Sequence, residues 1–256
     1  MESIEKILSL VYSGQPSNIH LGFKLAASQN IDLQPYFEWI RILWDLEDEV
    51  CEAHEICEMF EMKAFFGPAS PIPKLPSEIG LLTKLEELEL CSCSIENLCP
   101  ELEKLTSLKI LDLCENKLTE VSPEILALKQ LESLVLFRNN IHHLTKEVGS
   151  LTNLVRLDVS ENHLTSIPDV FEHMHKLEHA QFEKNKIEEV PLSLAKLPNL
   201  HFLNLEDNNI KRISDEFAKT LFAEGNSIIE ISMYNNPIEY IPEILLANSL
   251  VLTGTS

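Results

Sequence analysis

The chain repeats itself, and a fixed internal period narrows the choice of fold more than any other property of a sequence. Aligned from the first apolar anchor of each unit, it reads LEELELCSCSI from Leu85, LKILDLCENKL from Leu108, LESLVLFRNNI from Leu131 and LVRLDVSENHL from Leu154. The series continues with LEHAQFEKNKI from Leu177, LHFLNLEDNNI from Leu200 and IIEISMYNNPI from Ile228, so the spacing is 23 residues five times and then 28. One period earlier, MKAFFGPASPI from Met62 keeps Phe65 and Ile72 but has no asparagine, and reads as a degenerate capping coil. No unit of this size can bury an apolar face alone. Stacked units can, because each covers its neighbour and together they share one continuous core.

The close-set apolar residues in each unit alternate as a short strand does, so Leu111 and Leu113 face inward while Ile110, Asp112 and Cys114 face out. Every coil then adds one parallel strand. Asn116, Asn139, Asn162, Asn185, Asn208 and Asn236 recur where the chain leaves the strand, and a buried amide there can satisfy backbone groups of neighbouring coils as a ladder. Cys93 stands in the first full unit instead of asparagine, which predicts a weaker end to that ladder.

The pattern LxxLxLxxNxL resembles the leucine-rich-repeat family, and second halves such as Ile-Pro-Asp-Val-Phe at 167–171 resemble its typical 23-residue class; the likeness covers residues 62–250. It implies an α/β fold, a right-handed horseshoe-shaped solenoid with a parallel concave sheet and short convex helices. Proline in Ser122-Pro123-Glu124-Ile125 and in Val190-Pro191 suits the start of such a convex helix, since its missing N–H costs nothing at the first helical position. The five extra residues between Ile213 and Ile228 predict a longer helix in the sixth coil, capped by Ser214.

Residues 1–61 lack the repeat and form a separate N-terminal helical segment, with the repeat domain running from 62 to 256. Ile4, Ile7, Leu8 and Val11 make one helical stripe, the stretch from Gly14 to Asn18 reads as a turn, and a second helix runs through Phe23 and Ala26. From Pro35 to Met62 the spacing predicts one long or one broken helix, apolar at Phe37, Ile40, Leu43, Val50 and Phe60 and acidic around Glu47, Asp48 and Glu49. Its apolar face is expected to cover the open end of the first coil, as terminal coils require. A docking module for a separate partner is the other reading.

Forty-one acidic against 20 basic side chains give a formal charge of -21, a field that repels nucleic acid and anionic lipid and draws in basic proteins. The acidic N-terminus and the lack of an apolar run of roughly 18 residues argue against a secretion leader or a membrane span. Six cysteines in the first half, with no small-domain framework and no Asn-x-Ser/Thr acceptor, are expected to be reduced thiols in a cytoplasmic protein. Cys91 and Cys114 occupy equivalent outward positions on adjacent strands, where they could couple under oxidation or share a soft metal; two free thiols are the simpler expectation. Cys51, His54, Cys57 and Glu58 have the spacing of one helix face, but apolar packing explains Cys57 equally well.

No metal or cofactor and no catalytic residue are expected. His142, His143, His163, His173, His175, His179 and His201 fall on different coils, and no phosphate loop or nucleophile elbow occurs. Bacterial ubiquitin ligases with such repeats carry a separate catalytic domain after them, whereas this chain ends six residues past Leu250. A non-enzymatic adaptor or scaffold that binds a protein, a basic one, on its concave face is the leading expectation. The alternative is a regulatory or effector chain whose repeats select a target for an attached catalytic domain. The site is read from the outward columns. Ile110, Val135 and Phe137 form an apolar patch on neighbouring strands, with Asp112, Arg156, Asp158 and Glu206 around it and with Phe202 and Tyr234 extending it toward the C-terminal coils. Oligomeric state is left open, with the exposed C-terminal end able to pair with another copy.

Overall fold

The computed structural model describes residues 4–44, 51–68, 70–223, 230–247 and 251–252. The chain begins with helices α1 (Ile4–Val11), α2 (Pro16–Ser28), α3 (Glu38–Trp44, after a 3-10 turn at Gln34–Phe37) and α4 (Ala53–Glu61). Ile7 and Val11 of α1 are fully buried, as the stripe of apolar residues requires, and α2 packs on α1 and α4. Helix α2 starts at Pro16, inside the stretch read as a turn, because proline is preorganised for the first helical position. The predicted helix of 35–62 is broken: α3 ends at Trp44 and α4 starts at Ala53 with a reciprocal Glu52–Glu55 capping box. Val50 and the acids Glu47, Asp48 and Glu49 lie outside the described residues.

After α4 the chain enters a single parallel sheet in strict sequence order, β1 (Ala64–Phe66), β2 (Glu87–Glu89), β3 (Ile110–Asp112), β4 (Ser133–Val135), β5 (Arg156–Asp158), β6 (His179–Gln181), β7 (Phe202–Asn204), β8 (Glu230–Ser232) and β9 (Val251–Leu252). Successive strands of the repeats align at equivalent positions, for example Leu111↔Leu134 and Leu134↔Leu157. The degenerate coil thus supplies a strand of its own, and the tail adds a ninth beside Ile231 and Ser232 that the sequence reading did not anticipate. Short convex segments join the strands. Most are single 3-10 or α turns, and the one lengthened by the insertion, Asp215–Leu221, has seven residues. Ser214 Oγ accepts from the Phe217 amide at 3.0 Å and caps it, as the insertion predicted.

The inward leucines stack into one core that runs from the N-terminal helices through the last described coil. Leu88, Leu111, Leu134, Leu157, Leu203 and Ile231 each contribute a fully buried side chain, and at roughly 25 cal/mol per Å² such burial is the main stabilising term. Beside the core runs the asparagine ladder. Asn162 Nδ2 donates to Leu136 O at 2.9 Å in the preceding coil and to Val159 O and Ser160 O at 3.1 Å in its own, while its Oδ1 accepts from the Ile141 amide at 2.9 Å. Asn116, Asn139, Asn185, Asn208 and Asn236 repeat the arrangement. At Cys93 the thiol reaches only Cys91 O at 3.3 Å and Pro68 O at 3.6 Å.

Candidate functional site

The outward side chains of the third, fifth and seventh positions line one open face of the sheet, the face read as concave from sequence. Seven acids, Glu87, Glu89, Asp112, Asp158, Glu183, Glu206 and Glu230, share those columns with one strong base, Arg156.

The patch at the centre of that face is smaller than expected. Val135 and Phe137 are two residues apart on one strand and both half-buried, and Ile110 stands half-buried on the next strand opposite Ser133. Acids interleave with them, because the in-register neighbours of Val135 are Asp112 and Asp158. The Arg138 guanidinium lies 5.0 Å from the Phe137 ring centroid and roofs one side of it. Phe202 sits three strands from Phe137, roughly 14 Å at ordinary strand spacing, with its ring 6.4 Å from that of His179. Tyr234 is 37 % exposed at the far end of the sheet. The structure therefore leaves Phe202 and Tyr234 apart from the Ile110, Val135 and Phe137 group.

Asp158 requires a correction. The alternation rule points it outward, and it does leave the sheet on that side, yet it is only 5 % exposed. Its carboxylate accepts from the Ser160 amide at 3.1 Å and from Ser160 Oγ, and Arg156 Nη2 closes over the other oxygen at 3.1 Å. Arg156, itself exposed, also reaches Gln181 Oε1 at 3.2 Å, so it is partly engaged before any partner arrives. Glu206 accepts from Ser232 Oγ, and Glu183 accepts from Asn204 Nδ2.

Burial, with neighbouring charge added, shows in the acids themselves. Burial pushes the Glu183 carboxyl above its usual range, and the Glu206 and Asp158 charges add to it against the pull of the Asn204 bond and of Lys184. Burial likewise raises Glu89, with Asp112 and Glu87 adding. Asp112 is raised by burial, opposed by the bond from the Cys114 amide and by Arg156.

Two cysteine readings change. Cys91 and Cys114, expected as free thiols, are joined as a disulfide across β2 and β3, with Cα atoms 4.7 Å apart. The Cys51, His54, Cys57 and Glu58 set does not converge: Cys51 is buried, His54 turns to Glu52 at 3.4 Å and Cys57 Sγ approaches His20 at 3.9 Å. Among the described residues the one convergent set of three or more His, Cys, Asp or Glu side chains is Cys91, Asp112 and Cys114.

The eighth column was not singled out by sequence reasoning. Ser92, Glu115, Arg138, Glu161, Lys184, Asp207 and Asn235 all hold φ between +50° and +57°, the left-handed turn that swings the following residue, Cys93 or a ladder asparagine, inward. Their side chains run as an ionic rail along the edge of the open face, with Ser92–Glu115 at 2.8 Å, Glu115–Arg138 at 2.8 Å, Arg138–Glu161 at 2.6 Å and Glu161–Lys184 at 2.5 Å. The signal was present as alternating charge at that position. A second, shorter rail joins Lys63, Glu86 and Lys109 at 2.7 Å each, and these two lysines hold the Glu86 carboxyl down at about 2.

A groove of about 1070 Å³ lies elsewhere, between the N-terminal helices and the turns of the first coils, lined by Tyr12, Tyr36, Trp39, Pro76, Cys99 and Pro100 among others.

With this geometry in view, the comparisons can be read. A family model described as a leucine-rich repeat region matches residues 97–222. A leucine-rich-repeat protein of Leptospira interrogans superposes on 80% of this chain and 57% of its own at 24% identity, TM-score 0.66. An internalin of Listeria monocytogenes superposes on 85% of this chain and 61% of its own at 24% identity, TM-score 0.69. Residues 97–222 belong to the leucine-rich-repeat family, and the rest of the solenoid shares that fold. This leucine-rich-repeat protein is also similar to a chain of the Drosophila Toll–Spatzle complex, at 23% identity over 72% of this chain and 25% of that one, TM-score 0.60. It spans less than two thirds of the first two structures it matches. A comparison with curated protein sequences finds no match. Among the described residues no helix is long and apolar enough to cross a membrane.

Proposed function

We propose that this leucine-rich-repeat protein is a non-enzymatic adaptor or scaffold that grips a basic protein segment on the open face of its sheet, with residues 1–61 as cap and 62–256 as the binding domain. A leucine-rich-repeat fold itself suggests a protein–protein interaction module, and one structural relative is a complex of Toll with Spatzle. The observation that carries the finer reading is the imbalance of the open face, where seven acids stand with one arginine around an apolar centre at Val135 and Phe137. Carboxylates that already crowd one another are relieved by a cationic partner, and a half-buried phenylalanine beside them supplies an anchor. Asp112, Glu206, Phe202, Tyr234, Ile110 and Arg156 would line the remainder; Asp158 would act by orienting Arg156 and not by contact. The same reading places the chain in the cytoplasm, where the reducing environment would hold Cys91 and Cys114 as thiols.

The test is affinity capture from the source cells with wild type, Phe137→Asp and the double variant Glu183→Lys/Glu206→Lys, each checked for native circular dichroism. The reading predicts a partner that is retained by wild type, lost from both variants and released by salt. A partner retained equally by all three would refute it.

A further inference from the structure

Positions five and seven of the first two full coils set four ligand-type side chains on the open side of two adjacent strands. Glu89 and Asp112 are paired in register, and Cys91 and Cys114 follow two residues on. Sγ of both cysteines and a carboxylate oxygen of Asp112 lie within 4.8 Å of one another, and all three side chains are half-buried, open to solvent on one side. Asp112 Oδ1 accepts from the Cys114 amide at 2.9 Å, and Cys91 Sγ lies 3.3 Å from the same oxygen. The backbone on either side is pinned, with the Leu90 amide donating to Asp112 O at 2.8 Å and the Ser92 amide to Cys114 O at 2.9 Å. The strands therefore hold the three ligands together whether or not the sulfurs are bonded.

That donor set is a zinc-type set. A four-coordinate ion with Zn–S near 2.3 Å and Zn–O near 2.1 Å needs donor atoms roughly 3.4–3.8 Å apart, a separation the two strands can reach by side-chain rotation alone. We propose that Cys91, Cys114 and Asp112 form a redox-gated site for a soft divalent cation of the zinc class, with solvent or Glu89 as the fourth ligand. In the dithiol form both thiols release their protons to solvent as the ion binds. In the disulfide form the thiolate pairs are tied up in the S–S bond and the site is closed. Conversion balances with a peroxide as oxidant: two thiols give up two electrons and two protons, the S–S bond forms, and the peroxide leaves as two waters. A phosphine reverses it, taking up one oxygen from water as the S–S bond breaks and two thiols form. Because two protons leave as the divalent ion binds, the net charge of the site is unchanged, and what the oxidation state would set is whether an ion is held beside Phe137, the residue of the next coil equivalent to Cys114. This proposal does not depend on the partner reading above.

The test uses the full chain, reduced with a phosphine, desalted and titrated with zinc against a chromogenic indicator, with cobalt as a spectroscopic substitute. The expected result is one ion per chain and a sulfur-to-cobalt charge-transfer band. Cys91→Ser and Cys114→Ser should lose the band and bind at least a hundredfold more weakly, and Asp112→Asn about tenfold more weakly. Cys57→Ser should match wild type, and peroxide-treated wild type should bind none. The proposal is overturned if folded, reduced wild type holds no ion, if the Cys91→Ser/Cys114→Ser double variant binds equally, or if reduction itself abolishes the native circular dichroism.

Discussion

Replacing Asn162 by alanine should destabilise the repeat domain by more than its volume suggests. Asn162 is 4 % exposed and makes four hydrogen bonds to backbone. Three of its partners have cover after the deletion, because Leu136 O also accepts from Asn139 at 3.1 Å, Val159 O from Asn185 at 3.0 Å and Ser160 O from the Arg138 amide at 3.1 Å. The Ile141 amide loses the partner that Asn162 supplies. One buried orphan costs roughly 1–3 kcal/mol, a substantial part of the roughly 5–15 kcal/mol that domains ordinarily possess. Asn162→Asp should be no milder, since a carboxylate keeps the acceptor but meets three carbonyls with no donor. Asn153, whose amide at the convex rim donates to Lys129 O at 2.8 Å, is the control, and its alanine variant should cost no more than about 1 kcal/mol because solvent can replace the bond. The assay is equilibrium urea unfolding followed by far-ultraviolet circular dichroism. An Asn162→Ala variant within about 0.5 kcal/mol of wild type would refute the claim that the ladder bears backbone groups water cannot reach.

Other predictions follow from the rails and caps. Arg138→Ala breaks two ion pairs, but the guanidinium is 54 % exposed, so the loss should be small and should vanish in high salt, as paired melts at low and high ionic strength would show. The lowered Glu86 carboxyl, at about 2, binds fewer protons folded than unfolded between that value and the ordinary carboxylate range. Its contribution is therefore complete above that range and lost as pH falls toward 2; acid titration of Glu86→Gln should be flatter than that of wild type. Glu183 has the opposite sign: its raised carboxyl favours the proton in the fold, so its contribution declines as pH rises through and just above the ordinary range, and Glu183→Gln should melt higher than wild type at neutral pH. Ser214→Ala removes the cap of the seven-residue convex helix and should cost about 1 kcal/mol by the same urea assay.

The repeat register made most of this architecture legible. Once Leu85, Leu108 and their successors were aligned, the strands, their parallel order, the inward leucines and the asparagine ladder followed from the period of two in a strand and from the need to satisfy buried amides. What escaped was what depends on neighbours across coils. Asp158 sits at an outward position, yet Ser160 and Arg156 close over it, and no alternation rule counts such local covers. The pairing of Cys91 with Cys114 was visible as a spacing of one period, but a spacing does not state whether two sulfurs are bonded. The rail through Glu115, Arg138, Glu161 and Lys184 was written in the sequence as alternating charge at the eighth position, and it went unread because only the strand columns were followed. Strand β9 was missed because two residues carry too little periodicity to be read as a strand.

The central claim is that a protein partner sits on the open face beside Phe137. A photo-reactive amino acid placed at 137, and separately at Glu124 on the convex side, would test it in the source cells. Irradiation should give a discrete crosslinked adduct from position 137 and none from 124; an adduct from 124 with none from 137 would contradict the account.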